Sequence, residues 1–91
     1  PLPNPVVRLA PRAAWHMPSV AKRLDEAIGS IAAESVIFYP PGIPVLAQGE
    51  EITAQCVRYI QRKIAEGYGP HGCEDKTATF IKTVKSEEEK S

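Results

Sequence analysis

The side chains best suited to chemistry lie together in His71-Gly72-Cys73-Glu74-Asp75, which combines an imidazole, a thiol and two carboxylates. A metal site needs three or four ligands, but His71 and Cys73 have no Cys-x-x-Cys or His-x-x-x-His partner. A thiol–imidazole nucleophile would need these two side chains to face each other and a third group to orient the base, and the sequence identifies no such group. The pattern favours a loop in which Gly72 turns the chain and Glu74 and Asp75 face solvent or cap a turn.

A second unusual stretch runs from Phe38 to Glu50 and carries three of the nine prolines. Each proline fixes φ near −65° and removes a backbone donor, and Gly42 after Pro41 fits a type II turn. We interpret the stretch as a rigid structural turn, or as the pre-organised wall of a binding site, because a stiff backbone loses little entropy when a ligand binds. The residues expected to form this wall are Tyr39, Pro40, Pro41, Gly42, Pro44, Gly49 and Glu50.

Around this stretch, the sequence predicts an apolar strand Ser35–Tyr39, an extended exit Ile43–Leu46 and a second sharp turn at Gly49. The ring of Tyr39 is expected to be buried with its hydroxyl bonded to the backbone. Glu34 precedes the strand, and its carboxylate is expected to be structural: solvent-exposed, paired with an arginine, or accepting hydrogen bonds from a neighbouring backbone.

The first third of the chain predicts a proline-rich extended arm (residues 1–10) and a short helix that starts at Pro11 and includes Trp15. A longer helix is predicted over Ser19–Ala33, where apolar residues recur at spacings of four and three. In an open alternative, Val20–Arg23 is extended and the helix begins only at Leu24. Gly29 weakens either helix.

The last third predicts a helix from Thr53 to Glu66, with Thr53 as N-cap and Gly67 as the residue that ends it. Alternation over Lys76–Lys85 predicts a strand with Phe80 and Ile81 on opposite faces. The fold class is therefore α+β, a small sheet packed with two main helices. We expect one domain over residues 11–85 and a disordered charged tail over 86–91.

The composition excludes several classes of protein. Eleven basic residues balance eleven acidic ones, so nothing indicates a nucleic acid or an anionic membrane as partner. No apolar run approaches the about 20 residues that span a bilayer, and no signal-peptide pattern is present. Cys56 and Cys73 are expected to be reduced thiols in a cytoplasmic protein, although a single bridge stays open.

The run Tyr39-Pro40-Pro41-Gly42-Ile43-Pro44, followed by Val45-Leu46 and Gly49-Glu50, resembles the C-terminal domain of the ornithine/lysine/arginine decarboxylases. Two weaker segments, Arg8-Leu9-Ala10-Pro11-Arg12 and residues 26–34, are also similar to that family. Gln48 departs from the pattern, because the family usually has a proline before the Gly-Glu pair, and this should loosen the second turn. The resemblance covers roughly Arg8 to Val84.

The resemblance implies an aminotransferase-like enzyme that uses pyridoxal phosphate to remove the α-carboxylate of a basic amino acid. This chain would then be a fragment, which agrees with its start at Pro1 without an initiator Met. It would pack on the large cofactor-binding domain, in a homo-oligomer, and shape the active-site entrance, where Glu74 and Asp75 would meet a cationic substrate. The family's Schiff-base lysine lies in a Ser-x-His-Lys context, but neither His16 nor His71 precedes a lysine, and no Gly-rich phosphate loop is present. No catalytic or cofactor-binding residue is therefore expected in this chain.

Two alternatives remain open on the sequence alone. The chain could be a freestanding, non-enzymatic module that binds a protein partner through its proline-rich arm and Trp15. It could also be a small metal-dependent or thiol enzyme built on His71 and Cys73.

Overall fold

The helix α1, Ala54–Ala65, forms as the local sequence predicts. The hydroxyl of Thr53 accepts a hydrogen bond from the backbone N–H of Cys56 at 3.1 Å, which satisfies one of the orphan donors of the first turn. At the other end, Gly67 has φ +98°, and N–H groups of Gly67 and Tyr68 donate to the carbonyls of Ile64 and Lys63. This pair of bonds is a Schellman motif, so the helix stops where the glycine was predicted to end it.

α1 is the single α-helix within the part of the chain that the computed structural model describes, residues 2–10, 17–39 and 42–85. Around it lie β1 (Ser19–Arg23), a 3₁₀ turn (Leu24–Glu26), β2 (Val36–Phe38), β3 (Ile43–Leu46) and β4 (Phe80–Val84). The α+β class is confirmed. The predicted short helix at Pro11–Trp15 and the charged tail fall outside the described residues.

β2 and β3 form a two-stranded antiparallel sheet around the proline turn. Gly42 has φ +85°, the positive value predicted for it, and its N–H donates to the carbonyl of Phe38 at 3.0 Å. Pro44 lies opposite Ile37. The N–H and carbonyl of Ile37 bond instead to His71 on the other side, at 2.8 Å each. Pro44 is therefore tolerated, because its position in the ladder needs no donor.

β1 and β4 form a second antiparallel sheet, and they correct the prediction of a helix over Ser19–Ala33. The extended alternative for Val20–Arg23 is confirmed, and after it only the 3₁₀ turn is helical. Gly29 then adopts φ +91° in the left-handed region, which ends the helical geometry. The structure therefore contains one of the two predicted main helices, because pairing with a strand about 60 residues away overrides the local apolar spacing.

The predicted strand over Lys76–Lys85 is shorter than expected and begins only at Phe80. Before it, residues 75–79 form a turn with Ala78 at φ +52°. Isolated bridges tie connecting segments to one another and to the sheets: Ile31 pairs with Glu51, and Ala32 pairs with Thr83 of β4. The elements therefore enclose one core.

The core is lined by α1, both sheets and the segments between them. Its buried members are Leu24, Ala27, Ala32, Val36, Phe38, Val45, Leu46, Ile52, Cys56, Val57, Ile60, Cys73, Ala78 and Ile81. Both cysteines are free and buried, as expected for reduced thiols. No helix in the described residues has the length and apolar character needed to cross a membrane.

The N-terminal arm lies against the turn at Gly49. The N–H groups of Arg8 and Leu9 both donate to the carbonyl of Gly49 at 2.8 Å, and the carbonyl of Val6 accepts from Glu51 at 2.7 Å. A salt bridge of 2.6 Å joins Arg8 to Glu51. Gly49 has φ +91°, so the sharp turn predicted there is confirmed, and its lack of a side chain lets the arm cross it closely.

Candidate functional site

The carboxylate of Glu34 joins the acidic loop to the last strand. One of its oxygens accepts from the backbone N–H of Glu74 at 3.0 Å, and the other accepts from the backbone N–H of Lys82 at 2.9 Å. Of the three roles left open for Glu34, the structure therefore selects the acceptor of backbone hydrogen bonds. A carboxylate suits this position because charge-assisted bonds to N–H donors are stronger than neutral ones.

Asp75 organises the turn that leads into β4. Its Oδ1 accepts from the N–H and hydroxyl of Thr77 at 3.0 and 2.8 Å, and its Oδ2 accepts from the N–H of Phe80 at 3.0 Å. The two backbone bonds lower the pKa of the Asp75 carboxyl below its ordinary value, because they stabilise the ionised form. Both oxygens are thus directed at the chain's own backbone and hydroxyl groups.

Together the two acids complete the edge of β4 that faces away from β1. Along this edge the N–H of Phe80 meets Asp75, the N–H of Lys82 meets Glu34, and the N–H of Val84 meets the carbonyl of Ile31 at 2.8 Å. Side-chain oxygens therefore occupy two of the positions that carbonyls of a neighbouring strand would fill.

Glu74 is the acid that points outward. Its side chain is 75% exposed and its carboxylate forms an ion pair with the ammonium of Lys82 at 2.5 Å. This hydrogen bond raises the pKa of Lys82 above its ordinary value, and the charge of Glu34 adds to the effect. The pair borders a surface cavity of about 160 Å³ whose apolar walls are Ala21, Phe80 and Ile81. The predicted charge contacts therefore differ: Glu74 faces the cavity with its charge accessible, whereas Asp75 holds a turn.

His71 and Cys73 do not form a reactive pair in this structure. The ring of His71 packs edge-on against Tyr39, with centroids 4.9 Å apart and planes at 87°. The thiol of Cys73 is buried and donates to the carbonyl of Asp75 at 3.4 Å. Burial, followed by the charge of Glu34, raises its pKa, which disfavours the nucleophilic thiolate. The described residues contain no group of three or more potential metal ligands.

The wall residues predicted around the proline turn occupy two different environments. Tyr39 is 55% exposed, which contradicts the prediction of a buried ring, because the ring lies outside the core against His71. Gly42 is close beneath it, since an added Cβ would lie 2.5 Å from a ring carbon of Tyr39. The carboxylate of Glu50 accepts from the N–H of Ala47 at 2.9 Å and closes the second turn. Pro40 and Pro41 lie outside the described residues.

Two contributors were missed by the sequence reasoning. Gln48 was expected only to loosen the second turn, but its side-chain amide donates to the carbonyl of Ala33 at 3.0 Å and ties that turn to the segment before Glu34. Lys82 carries the counter-charge of Glu74. The predicted strand alternation already placed Lys82 on the same face as Phe80, which was the available signal.

Comparison with known proteins assigns the chain to a family. Residues 4–68 match the family described as "Orn/Lys/Arg decarboxylase, C-terminal domain". The chain belongs to this family. It is 37% identical over 83 residues to the arginine decarboxylase of Bacillus subtilis (strain 168), covering 91% of this chain and 17% of that protein. It is 33% identical over 88 residues to the arginine decarboxylase of Halalkalibacterium halodurans, covering 96% and 18%.

Solved structures agree in fold. The Francisella novicida lysine decarboxylase LdcF matches with a TM-score of 0.68 and 26% identity, covering 90% of this chain and 14% of that one. The constitutive lysine decarboxylase of E. coli matches with a TM-score of 0.74 at 22% identity, covering 89% and 14%. The chain therefore spans less than a fifth of the relatives that it matches.

Proposed function

We propose that this chain is the C-terminal domain of a pyridoxal-phosphate-dependent enzyme that decarboxylates a basic amino acid, with arginine as the first substrate to test. The observation that supports this proposal is the alignment of nearly the whole chain with proteins named arginine decarboxylase, at 33–37% identity. The structural match to a lysine decarboxylase at 26% identity makes lysine the second candidate.

The residues of this chain do not fit the cofactor. Pyridoxal phosphate needs an amine for the Schiff base, and every lysine among the described residues is at least partly exposed at the surface. At the start of α1, the N–H of Cys56 is already bonded to Thr53, so this helix end is capped by its own side chain. We infer that the remainder of the longer protein binds the cofactor, whose role when bound is to stabilise the charge left by the departing carboxylate.

The contribution of this domain is to support and shape the active-site entrance. Glu34 and Asp75 fix the loop that carries Glu74, and the exposed ring of Tyr39, at the proline turn, packs against His71. Glu74 is the group best placed to attract a cationic substrate, because its carboxylate is exposed beside an apolar cavity. We propose that the domain packs on the large domain of the same polypeptide, in a cytoplasmic homo-oligomer.

The test uses the longer protein that carries this chain. Its visible absorbance reports bound pyridoxal phosphate, and carbon dioxide release is measured with arginine, lysine and ornithine. We expect release from arginine above all. A purified protein with the mass of this chain, 9.9 kDa, and no cofactor absorbance would overturn the proposal and leave a freestanding binding domain.

The role of Glu74 has its own matched comparison. Glu74→Gln is expected to raise the Michaelis constant for the basic substrate several-fold with little change in turnover, because uniform binding is lost. Glu66→Gln serves as the control, because Glu66 lies at the end of α1 and its only described ion pair is a long contact of 3.9 Å with Lys63. Equal Michaelis constants for the two variants would contradict a role for Glu74 in binding substrate at the entrance.

A further inference from the structure

The two outer edges of the β1–β4 sheet differ in whether their backbone groups are hydrogen-bonded. The edge of β4 is completed by Glu34, Asp75 and Ile31. On the edge of β1, no hydrogen bond within the described residues involves the outward backbone groups. A bare strand edge presents a row of donors and acceptors that can pair with another strand.

The ladder defines which groups are outward. The N–H of Lys85 donates to the carbonyl of Pro18, and the N–H of Leu24 donates to the carbonyl of Thr79, at the two ends of a continuous register. The two-residue period of antiparallel pairing then points the backbone groups of Val20 and Lys22 toward β4. The N–H and carbonyl groups of Ser19, Ala21 and Arg23 point away from the sheet.

Nothing in β1 protects this edge in the usual ways. The strand has five residues in unbroken register with no proline and no bulge. Its two charges, which often guard edges, are engaged elsewhere: the ammonium of Lys22 donates to the hydroxyl of Ser30 at 3.2 Å, and Arg23 turns toward Asp25 at 3.5 Å.

The outer face beside this edge carries a small apolar patch bordered by the charged side chains of Glu74 and Lys82. Ala21 and Phe80 lie on it, together with the cavity described above, and Phe80 is 45% exposed. A strand added to β1 would place alternate side chains over this face, because side chains alternate across a sheet. An apolar side chain at that position would cover Phe80 and Ala21.

We propose that β1 is a docking edge for an extended segment of the rest of the decarboxylase polypeptide, which adds a strand along Ser19–Arg23 and places an apolar side chain over Ala21 and Phe80. The occupant is taken to be the same polypeptide because the chain accounts for only 14–18% of its relatives, so most of their length lies outside it. This inference rests on the proposed function, since it names the surface through which the domain packs.

Hydrogen exchange of single backbone amides tests it. The amides of Ala21 and Arg23 are compared between the 91-residue chain and the longer protein, with Val20 and Lys22, which face β4, as internal controls. Docking should slow amide exchange at Ala21 and Arg23 by about 100-fold in the longer protein, whereas the amides of Val20 and Lys22 should be protected in both proteins. Equal rates for Ala21 and Arg23 in the two proteins overturn the proposal. Protection in the short chain that grows with its concentration also overturns it, in favour of a second copy.

A pair of proline variants provides an independent test. Ala21→Pro removes only an outward N–H, so the short chain should keep its fold, whereas Lys22→Pro removes a ladder donor and should disrupt it. In the longer protein, Ala21→Pro should restore fast exchange at Arg23. Activity is measured on the same samples. An active decarboxylase with an unprotected edge refutes the docking edge alone, and a protected edge without release of carbon dioxide from any of the three amino acids refutes the proposed function alone.

Discussion

The contact between the N-terminal arm and Gly49 yields a quantitative prediction. Gly49 has φ +91°, and a Cβ placed on it would lie 1.9 Å from the carbonyl oxygen of Leu9. Gly49→Ala therefore forces the arm away from the turn. Gly67→Ala is the matched control, because Gly67 has φ +98° but no atom lies within 4 Å of its added Cβ.

The two variants share one cost and differ in another. An alanine held in the left-handed region costs about 1–2 kcal/mol at either position. At Gly49 the displaced arm also loses the two bonds that Arg8 and Leu9 donate to the Gly49 carbonyl, at about 1 kcal/mol each. We therefore expect Gly49→Ala to be less stable than Gly67→Ala by about 2 kcal/mol, a difference of about 8–16 °C in Tm for a domain of this size.

Urea unfolding of the 91-residue chain measures the two free energies, and hydrogen exchange reports the arm. The amides of Arg8 and Leu9 should exchange freely in Gly49→Ala and stay protected in Gly67→Ala. Free energies of unfolding that agree within about 0.5 kcal/mol would refute the reasoning, since the strain term alone would then explain both variants.

Three further predictions concern the acids and thiols. Glu34→Gln replaces one of two acceptor oxygens by a donor, so it should lower the free energy of unfolding in urea by about 2 kcal/mol, against less than about 0.5 for Glu66→Gln. The pKa of Asp75 is lowered in the folded chain, so its stabilisation is complete above the unfolded value near 3.8 and is lost as the pH falls through the lower folded value; Asp75→Asn should flatten this part of the acid unfolding curve. Burial, together with the charge of Glu50, raises the pKa of Cys56 to about 11. In a Cys73→Ser chain, the Cys56 thiol should therefore react at pH 8 about 100-fold more slowly than free cysteine. A reaction rate within about tenfold of free cysteine would contradict this.

The parts of the fold that the sequence predicts are those whose causes are local. The cap at Thr53, the apolar stripe of α1 and the stop at Gly67 lie within one short stretch, and each acts through its own neighbours. The turn at Gly42 is similar, because the prolines and the glycine restrict their own backbone. These elements were placed correctly without knowledge of the rest of the chain.

The sequence left a helix and an extended segment open for Val20–Arg23, because the cause of β1 is distant in the chain. The spacing of Leu24, Ile28 and Ile31 fits one face of a helix, but Ile28 is 48% exposed in the structure. The strand exists because β4 pairs with it from about 60 residues away, and a local pattern carries no information about that partner. The prediction for β4 was too long for the same reason. The turn held by Asp75 takes the place of the first residues of the predicted strand.

The structural roles of the acidic residues were only partly predictable from the sequence. The sequence identified Glu34, Glu74 and Asp75 as the acids of interest and placed the last two in a loop before the final strand. Their different roles arise from the outer edge of β4, where the N–H groups of Phe80 and Lys82 need hydrogen-bond acceptors. That need arises only once the strand order is known, so composition and spacing could not reveal it.

The energetics of the three acids separate them further. Removing Glu34 or Asp75 leaves backbone donors of β4 without their acceptors, a cost that the folded chain must bear. The Glu74–Lys82 pair is exposed, and such pairs contribute about 0–1 kcal/mol. A cationic group that enters the adjacent cavity can therefore take the place of Lys82 on Glu74 at little cost to the fold. Of the acids in this region, Glu74 is the one that can exchange an internal partner for an external one while the loop around it stays fixed.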